Sequence, residues 1–388
     1  MRILLINSEY PPIGGGAGNA TANLAREFAF MGEDVTVLTT SFDGFPKKRW
    51  VEAVENCGYT LQRAPSLRRK KEKSGAMEQG LFVLGSSWES LQIARRWKPD
   101  VTLAFFGVPS GPAGLLLKVF HGVPCVVSLR GGDVPGFRPY DFALYHRLIA
   151  PLVKFIWKKA DAVVANSTGL KALANTFEPD SAIRIIPNGV NVKQFASIAE
   201  ADRSWQPPKM LFAGRVVYQK GMDVVLYALG SLAHLEWDLT IAGDGPYKPF
   251  LQSLAVEQGI MDRVHFTGWL DKDAMLEQYR QANVFVFTSR HEGMPNAVLE
   301  AMASGLPVVA SRIAGNEELV VPDETGFLVP GEDVAALRSA LEKILEDANL
   351  RQRMGLAARH RVETQFTWQA VAERYRQLFI DILKSGNN

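Results

Sequence analysis

Two carboxylates eight positions apart, Glu292 and Glu300, bracket a Gly293-Met294-Pro295 turn and the helix-forming run Asn296-Ala297-Val298-Leu299. The preceding stretch, Val284-Phe-Val-Phe287, has the β-branched and aromatic character of a buried strand. The spacing predicts a strand, a loop carrying Glu292, and a helix opening near Asn296, a good capping residue, with Glu300 about one turn inside. The first backbone N–H groups of such a helix have no partners and sit at a positive dipole end. They make an anion site suited to phosphate, and a carboxylate on either side accepts hydrogen bonds from hydroxyls. A phosphate between two polyhydroxyl groups would satisfy every part of this arrangement. A nucleotide-sugar has that composition.

Two further patterns point the same way. Phe212-Ala-Gly-Arg-Val-Val-Tyr-Gln-Lys-Gly221 places Arg215 and Lys220 just past a strand end. Two cations there can neutralise a diphosphate, whose departure calls for charge compensation. A pair of solvated surface charges is the ordinary reading, but position at the ligand end of a parallel sheet favours the functional one. Near the start, Tyr10-Pro-Pro-Ile-Gly-Gly-Gly-Ala-Gly18 leads from the first strand into a helix expected over about Asn19–Met31. Glycines there let the backbone approach a ligand and aim N–H groups at an anion. A tight strand-to-helix turn needs glycine in any case, so this signal is weak alone. No Gly-Lys-Ser/Thr follows, which excludes a Walker loop. No Asp-x-Asp pair stands at a predicted strand end, so no metal site is expected.

These segments need a scaffold. A chain of 388 residues exceeds one ordinary core and implies two domains. Hydrophobic content of 47% and charged content of 22% are those of a soluble globular protein. Both halves alternate short apolar runs with helix-length amphipathic segments, the mark of parallel βαβ units. Strands are expected at Ile3–Asn7, Val35–Thr40, Val101–Phe106, Cys125–Leu129, Ala162–Asn166 and Ile183–Ile186, then at Met210–Ala213, Leu239–Ala242, Val264–Phe266, Val284–Phe287 and Val308–Ala310. The expected fold is α/β: two Rossmann-like doubly wound domains, 1–205 and 206–367, facing a cleft, with a last helix over about 368–388 packing back on the first. Phe195–Lys209 reads as a linker, and Phe42–Gly80, weakly patterned and charge-rich, as an excursion from the first domain.

Net charge of +2 hides an asymmetry: residues 1–205 hold 25 Lys/Arg against 18 Asp/Glu, and the remainder is acidic. Within the basic half, helical spacing over Tyr145–Lys159 puts Arg147, Lys154 and Lys158 on one face and Leu148, Leu152 and Phe155 on another. Such a segment either lies along an anionic membrane or packs its apolar face on the sheet with its lysines in water. Pro151 fits only near a helix start or kink. Two cysteines, Cys57 and Cys125, show no metal-ligand spacing, and the first apolar run is too short for a signal peptide. A reducing cytoplasm is the expected compartment, at the inner face of the membrane if a membrane is touched.

Taken in order along nearly the whole chain, the Tyr-Pro-Pro…Gly15-Gly16 loop, Asn188-Gly189-Val190, Gly214-Arg215…Lys220-Gly221, Ala242-Gly-Asp-Gly-Pro246, Gly268, Glu292-x7-Glu300 and Asp323-x-x-Gly326 resemble the retaining glycosyltransferases of family 4, which have the GT-B fold. The resemblance implies that Glu300 accepts from ribose hydroxyls, that Glu292 holds the donor sugar, and that backbone from Gly293 through Met294, Pro295, Asn296 and Ala297 to Val298 meets sugar and phosphate. It implies Arg215 and Lys220 on the diphosphate, Gly268 and Trp269 at the base, and Gly15 and Gly16 approaching phosphate or acceptor. Where many members carry a histidine, this chain has Arg130, followed by Gly131-Gly132-Asp133; arginine is no proton acceptor, and Arg130 and Asp133 are assigned to sugar or acceptor contacts. Asn191 stands where aspartate is frequent.

The activity so implied is retaining transfer of a sugar from a nucleoside-diphosphate sugar to a hydroxyl, by front-face substitution, in cell-envelope, lipopolysaccharide or exopolysaccharide assembly. No cofactor and no metal are expected. The partners are the donor, a glycan or lipid-linked acceptor and an anionic membrane surface; nucleic acid is not among them. A sugar-nucleotide epimerase, a glycoside phosphorylase of the same plan and a non-catalytic nucleotide-sugar-binding protein stay as alternatives.

Overall fold

The computed structural model describes residues 1–42, 50–54, 57–68, 74–137, 139–195 and 207–386. The chain forms two compact units, Met1–Asn188 with Trp368–Asn388, and Gly189–Thr367. The division falls before the linker expected at 195–209, of which residues 196–206 lie outside the described ones. Residues 189–195 go with the second unit for a physical reason. Val190 N–H donates to Phe366 O at 2.8 Å, and the Phe195 ring meets that of Tyr279 edge-on at 5.9 Å.

The first unit is built on a sheet of order β3-β4-β2-β1-β5-β6-β7-β8. Its strands are β1 Arg2–Ile6, β2 Asp34–Phe42, β3 Trp50–Val54, β4 Cys57–Arg68, β5 Val101–Phe105, β6 Cys125–Ser128, β7 Ala162–Ala165 and β8 Ile183–Ile185. All pairings are parallel except β3 with β4. The central strands are apolar on both faces, as a sheet covered on both sides requires. Helix Trp368–Ser385 returns to this unit and covers helix Gly16–Phe30: Phe379 meets Phe28 at 5.8 Å, and Tyr375 shares a 2.9 Å hydroxyl bond with Ser128. Helices Ala76–Trp97, Gly111–His121 and Pro139–Lys159 lie side by side on the sheet.

The excursion expected over Phe42–Gly80 instead holds β3 and β4; residues 43–49, 55–56 and 69–73 lie outside the described residues. The reason is legible in β4. Arg63 and Arg68 are buried there beside Tyr59, Leu61 and Ala64, and Pro65 interrupts the run, so the apolar alternation that signals a strand is broken. Cys125, inside β6, has its thiol pushed up to about 12 by burial.

The second unit has the order β11-β10-β9-β12-β13-β14, all parallel, with strands β9 Lys209–Ala213, β10 Asp238–Ala242, β11 Val264–Gly268, β12 Val284–Phe287, β13 Val308–Ser311 and β14 Gly326–Val329. Both units are therefore doubly wound, Rossmann-like sheets. In each the chain reverses its direction of winding between two neighbouring strands, β1 and β5 in the first, β9 and β12 in the second. The crevice at the carboxyl ends of such a strand pair is where these sheets bind ligands. Among the described residues, no helix is long and apolar enough to cross a membrane.

Candidate active site

In the second unit the loops leaving β9 and β12 meet at that reversal. Lys220 Nζ lies 2.6 Å from Glu292 Oε1, each side chain 13% exposed, and the ammonium stands 4.9 Å from the centre of the Phe287 ring. The buried Gln219 amide donates to His291 O at 2.5 Å and to Glu292 Oε1 at 3.5 Å. Arg290 ties the same two loops from below. Its guanidinium grips Asp223 through two bonds of 2.8 and 3.1 Å, reaches Glu332 at 2.8 Å and lies 3.8 Å from the centre of the Tyr218 ring. Such a bidentate, stacked arginine fixes loop geometry as well as charge. Arg215, by contrast, is exposed, and its side chain has no partner among the described residues. The two cations thus differ: one is engaged by Glu292, the other is open to a ligand.

Helix Asn296–Ala303 follows. Asn296 is its first helical residue and Pro295 precedes it as the cap, with no side-chain capping bond, which corrects the expected capping role of Asn296. The cap's carbonyl accepts from Val298 and Leu299 N–H at 3.2 and 3.4 Å. Gly293 carbonyl backs onto Gly315, where a Cβ would stand 2.6 Å away, so a side chain at 315 would push the turn out of place.

Glu300 sits one turn in. Its Oε2 accepts from the Tyr279 hydroxyl at 2.9 Å, and burial raises its pKa above the ordinary carboxylate value, the Tyr279 bond partly opposing this. Tyr279 is fully buried, with Phe195 on one side and Phe285 on the other at 6.1 Å. Sequence reasoning missed Tyr279, since a tyrosine in an amphipathic helix twenty-one residues away carries no motif. It also missed Gln219, Arg290 and Asp223, which lie inside or beside the quoted motifs.

The glycines flooring this region have a steric cause. A Cβ on Gly243, at φ 146°, would stand 1.9 Å from Gly214 O, and one on Gly245 would stand 2.2 Å from Val216 O. The loops after β9 and β10 are pressed backbone to backbone and joined by Gly214 N–H to Ala242 O and Val216 N–H to Asp244 O, at 3.0 and 2.9 Å. Gly268 ends β11 with φ 72°, and Trp269 beside it is 79% exposed, an open indole at the rim. The Asp323-x-x-Gly326 motif closes a turn into β14, Asp323 N–H donating to Gly326 O at 2.9 Å.

In the first unit, Gly15 caps helix Gly16–Phe30, which begins earlier than the expected Asn19. Gly15 N–H faces the Glu9 carboxylate at 3.4 Å, and burial raises the Glu9 pKa. Arg130 follows β6. Its Nη1 donates to Asn188 Oδ1 at 2.6 Å, its guanidinium lies 4.7 Å from the Phe105 ring centre, and burial lowers its pKa. Asp133 is buried, its two oxygens accepting from Arg130 N–H at 3.0 Å and Gly107 N–H at 2.9 Å. It thereby staples the loops after β5 and β6, while the Arg130 guanidinium is held on Asn188.

Known proteins resemble the chain over nearly its whole length. The model for Glycosyltransferase Family 4 matches residues 14–194, and that for Glycosyl transferases group 1 matches residues 195–361. Glycogen synthase of Mycobacterium tuberculosis is 28% identical over 393 residues, covering 98% of this chain and 94% of that protein. The GDP-mannose-dependent alpha-(1-6)-phosphatidylinositol monomannoside mannosyltransferase of Mycolicibacterium smegmatis is 27% identical, covering 97% of each. Sucrose-phosphate synthase from Thermosynechococcus elongatus superposes with a TM-score of 0.82 at 24% identity, over 99% of this chain and 100% of that one, a likeness of fold. With one model taking up where the other ends, and two doubly wound units beneath them, the chain belongs to glycosyltransferase family 4, has the GT-B fold and is a glycosyltransferase.

Proposed function

We propose that the chain transfers a sugar from a nucleoside-diphosphate sugar to a hydroxyl acceptor with retention at the anomeric carbon, in cell-envelope, lipopolysaccharide or exopolysaccharide assembly. The observation that carries this reading is the convergence, at the β9/β12 reversal, of an engaged cation, an open cation, a helix start and two carboxylates of different setting. Glu300, at depth and oriented by Tyr279, accepts from the ribose hydroxyls. Trp269 and the Gly268 backbone border the base. Arg215 and Lys220 hold the diphosphate, the backbone from Gly293 to Val298 meets sugar and phosphate, and Glu292 holds the donor sugar.

In this scheme the bond from the anomeric carbon to the phosphate oxygen breaks while the acceptor oxygen attacks the same face. The acceptor's proton passes to the departing phosphate oxygen, so no protein base is required. Positioning and the fixed positive charge of Arg215, Lys220 and the helix start stabilise the developing diphosphate charge. The reading assigns that stabilisation to the protein and not to a divalent cation. In the free protein Lys220 is held by Glu292; a diphosphate and a sugar hydroxyl arriving together offer each a new partner. Glu9 stands in the same relation to the Gly15 amide in the first unit.

The acceptor in this reading is a glycan or lipid-linked hydroxyl, reached at the inner face of an anionic membrane from the cytoplasm. A relative named for a phosphatidylinositol-linked substrate and the basic balance of the first half support it.

Calorimetry with nucleoside diphosphate alone tests the division between the carboxylates. Glu300→Ala should weaken binding by roughly 1–3 kcal/mol, the cost of leaving ribose hydroxyls unpaired. Glu292→Ala releases Lys220, so it should hold or tighten diphosphate binding while turnover collapses. Equal losses for both variants would sink the division of roles.

A further inference from the structure

Eighteen large hydrophobic side chains are exposed among the described residues, and ten of them lie on three neighbouring helices of the first unit. On helix Ala76–Trp97, Met77, Leu81, Leu84 and Trp88 recur at helical spacing and are 64%, 37%, 71% and 62% exposed. On helix Pro139–Lys159, Leu144, Leu148, Leu152 and Phe155 do the same, at 72%, 72%, 43% and 52%. Both series stay within about a quarter-turn of one line on their helix, so each is a stripe and not scatter. Helix Gly111–His121, packed between the other two, adds Val119 and Phe120. The faces that meet the sheet are different ones: Phe82 and Ile93 on the first helix, Val153, Ile156 and Trp157 on the last. Packing on the sheet therefore does not account for Leu148, Leu152 and Phe155. Helix Gly16–Phe30, covered by Trp368–Ser385, leaves only Phe30 so exposed. An apolar surface of this extent marks an interaction site.

Charge selects the occupant. Arg95 continues the line of the first stripe, and Arg147 and Lys158 flank the last; Arg95 and Arg147 are exposed and without a partner among the described residues. Lys154 and Lys158 share Glu178 at 3.4 Å each, an arrangement that leaves one of two positive charges uncompensated. A second copy of this chain would bring the same cations against them and be repelled. A bilayer carrying anionic headgroups over an apolar interior matches both the stripes and their cationic flanks.

We infer that the outer face of helices Ala76–Trp97, Gly111–His121 and Pro139–Lys159 is a membrane-docking surface that seats its leucines, Trp88, Phe120 and Phe155 at the headgroup boundary of an anionic leaflet. The inference deepens the proposed function, since it supplies the surface by which a lipid-linked acceptor is met.

Co-sedimentation of the full chain with phosphatidylcholine vesicles, and with phosphatidylcholine vesicles containing phosphatidylglycerol, tests it at low and high salt. Binding is expected to the anionic vesicles only, and to be lost in high salt. At low salt, Arg95→Glu with Arg147→Glu should cut partitioning by roughly fivefold or more per position, and Leu84→Ser with Leu148→Ser should cut it with every cation still in place. All four positions are on the surface, so circular dichroism and calorimetric binding of nucleoside diphosphate should match the parent. Absence of binding to anionic vesicles at low salt, or binding that the four substitutions leave unchanged, would overturn the inference. So would a dimer in light scattering that the leucine substitutions dissolve. If diphosphate binding persists while vesicle binding fails, only the docking surface is lost; if the parent binds no diphosphate, the donor reading is what fails.

Discussion

Replacing Tyr279 by Phe removes one oxygen and leaves the packing. The ring stays between Phe195 and Phe285, so no cavity opens, whereas Tyr279→Ala would add a cavity cost of several kcal/mol, about 3–5 for an aromatic side chain. What is lost is the 2.9 Å bond to Glu300 Oε2, a hydrogen bond to a charged group worth about 1.5–3 kcal/mol of folding stability. That bond is present with and without ligand, so most of its energy cancels from the binding constant. Two effects do not cancel. Glu300 must now be immobilised by the ligand itself, at about 0.5–1.5 kcal/mol, which is roughly two- to tenfold in Kd. The carboxyl also loses the interaction that restrained its burial-driven rise, so its pKa climbs further. Nucleoside diphosphate binding should therefore fade on acidification at a higher pH in Tyr279→Phe than in the parent. Denaturant melts and calorimetry across a pH series measure both. A destabilised variant whose Kd and pH midpoint are unchanged would refute the positioning role and leave Tyr279 a packing residue.

The two cations should behave unequally. Arg215→Ala and Lys220→Ala should each depress kcat more than they raise KM, as charges acting on the leaving diphosphate would; only Lys220→Ala should also lower Tm, because it strips Glu292 of its 2.6 Å partner. Activity in EDTA should persist, and a strict requirement for a divalent ion in the chemical step would overturn the assignment of that charge to side chains. Glu300→Gln should raise the Tm of the free protein at neutral pH while weakening diphosphate binding. The sign follows from the raised pKa: the folded state binds the proton more tightly than the unfolded one, so ionised Glu300 opposes folding above its folded pKa, and an uncharged amide avoids this. The gain should vanish as pH falls below that pKa, and a Tm difference independent of pH would contradict it.

Much of the site is local and hence visible in sequence. Strand, turn and helix around Glu292 and Glu300 are encoded within some twenty residues, and the glycines at 214, 221, 243 and 268 announce turns whose conformations need them. What was not visible is long-range. Tyr279 reaches Glu300, Arg290 reaches Asp223, and Asp133 reaches Gly107 only because the sheet order brings distant loops together. Strand β4 escaped notice because two buried arginines replace the apolar residues that periodicity relies on. β14 opens on Gly326, at φ 156°, where a Cβ would stand 1.9 Å from Val308 O, and a glycine so placed signals a turn and not a strand. The capping of helix Asn296–Ala303 shows a subtler limit: asparagine is a preferred cap, yet the proline before it already fixes the chain direction and takes that position.

Helix Trp368–Ser385 belongs to the unit formed by the beginning of the chain, and this inverts the order in which the two units can be finished. A ribosome releases every residue of the second unit before it releases the helix that covers Gly16–Phe30. Until then the apolar faces of Phe28, Leu24 and Val126 have no cover from Trp368, Val371, Tyr375 or Phe379. The unit synthesised last is thus the first that can close its core, and the unit synthesised first must wait, its sheet half-dressed, for the final turns of helix. Loss of those turns is consequently damage to the beginning of the protein and not to its end.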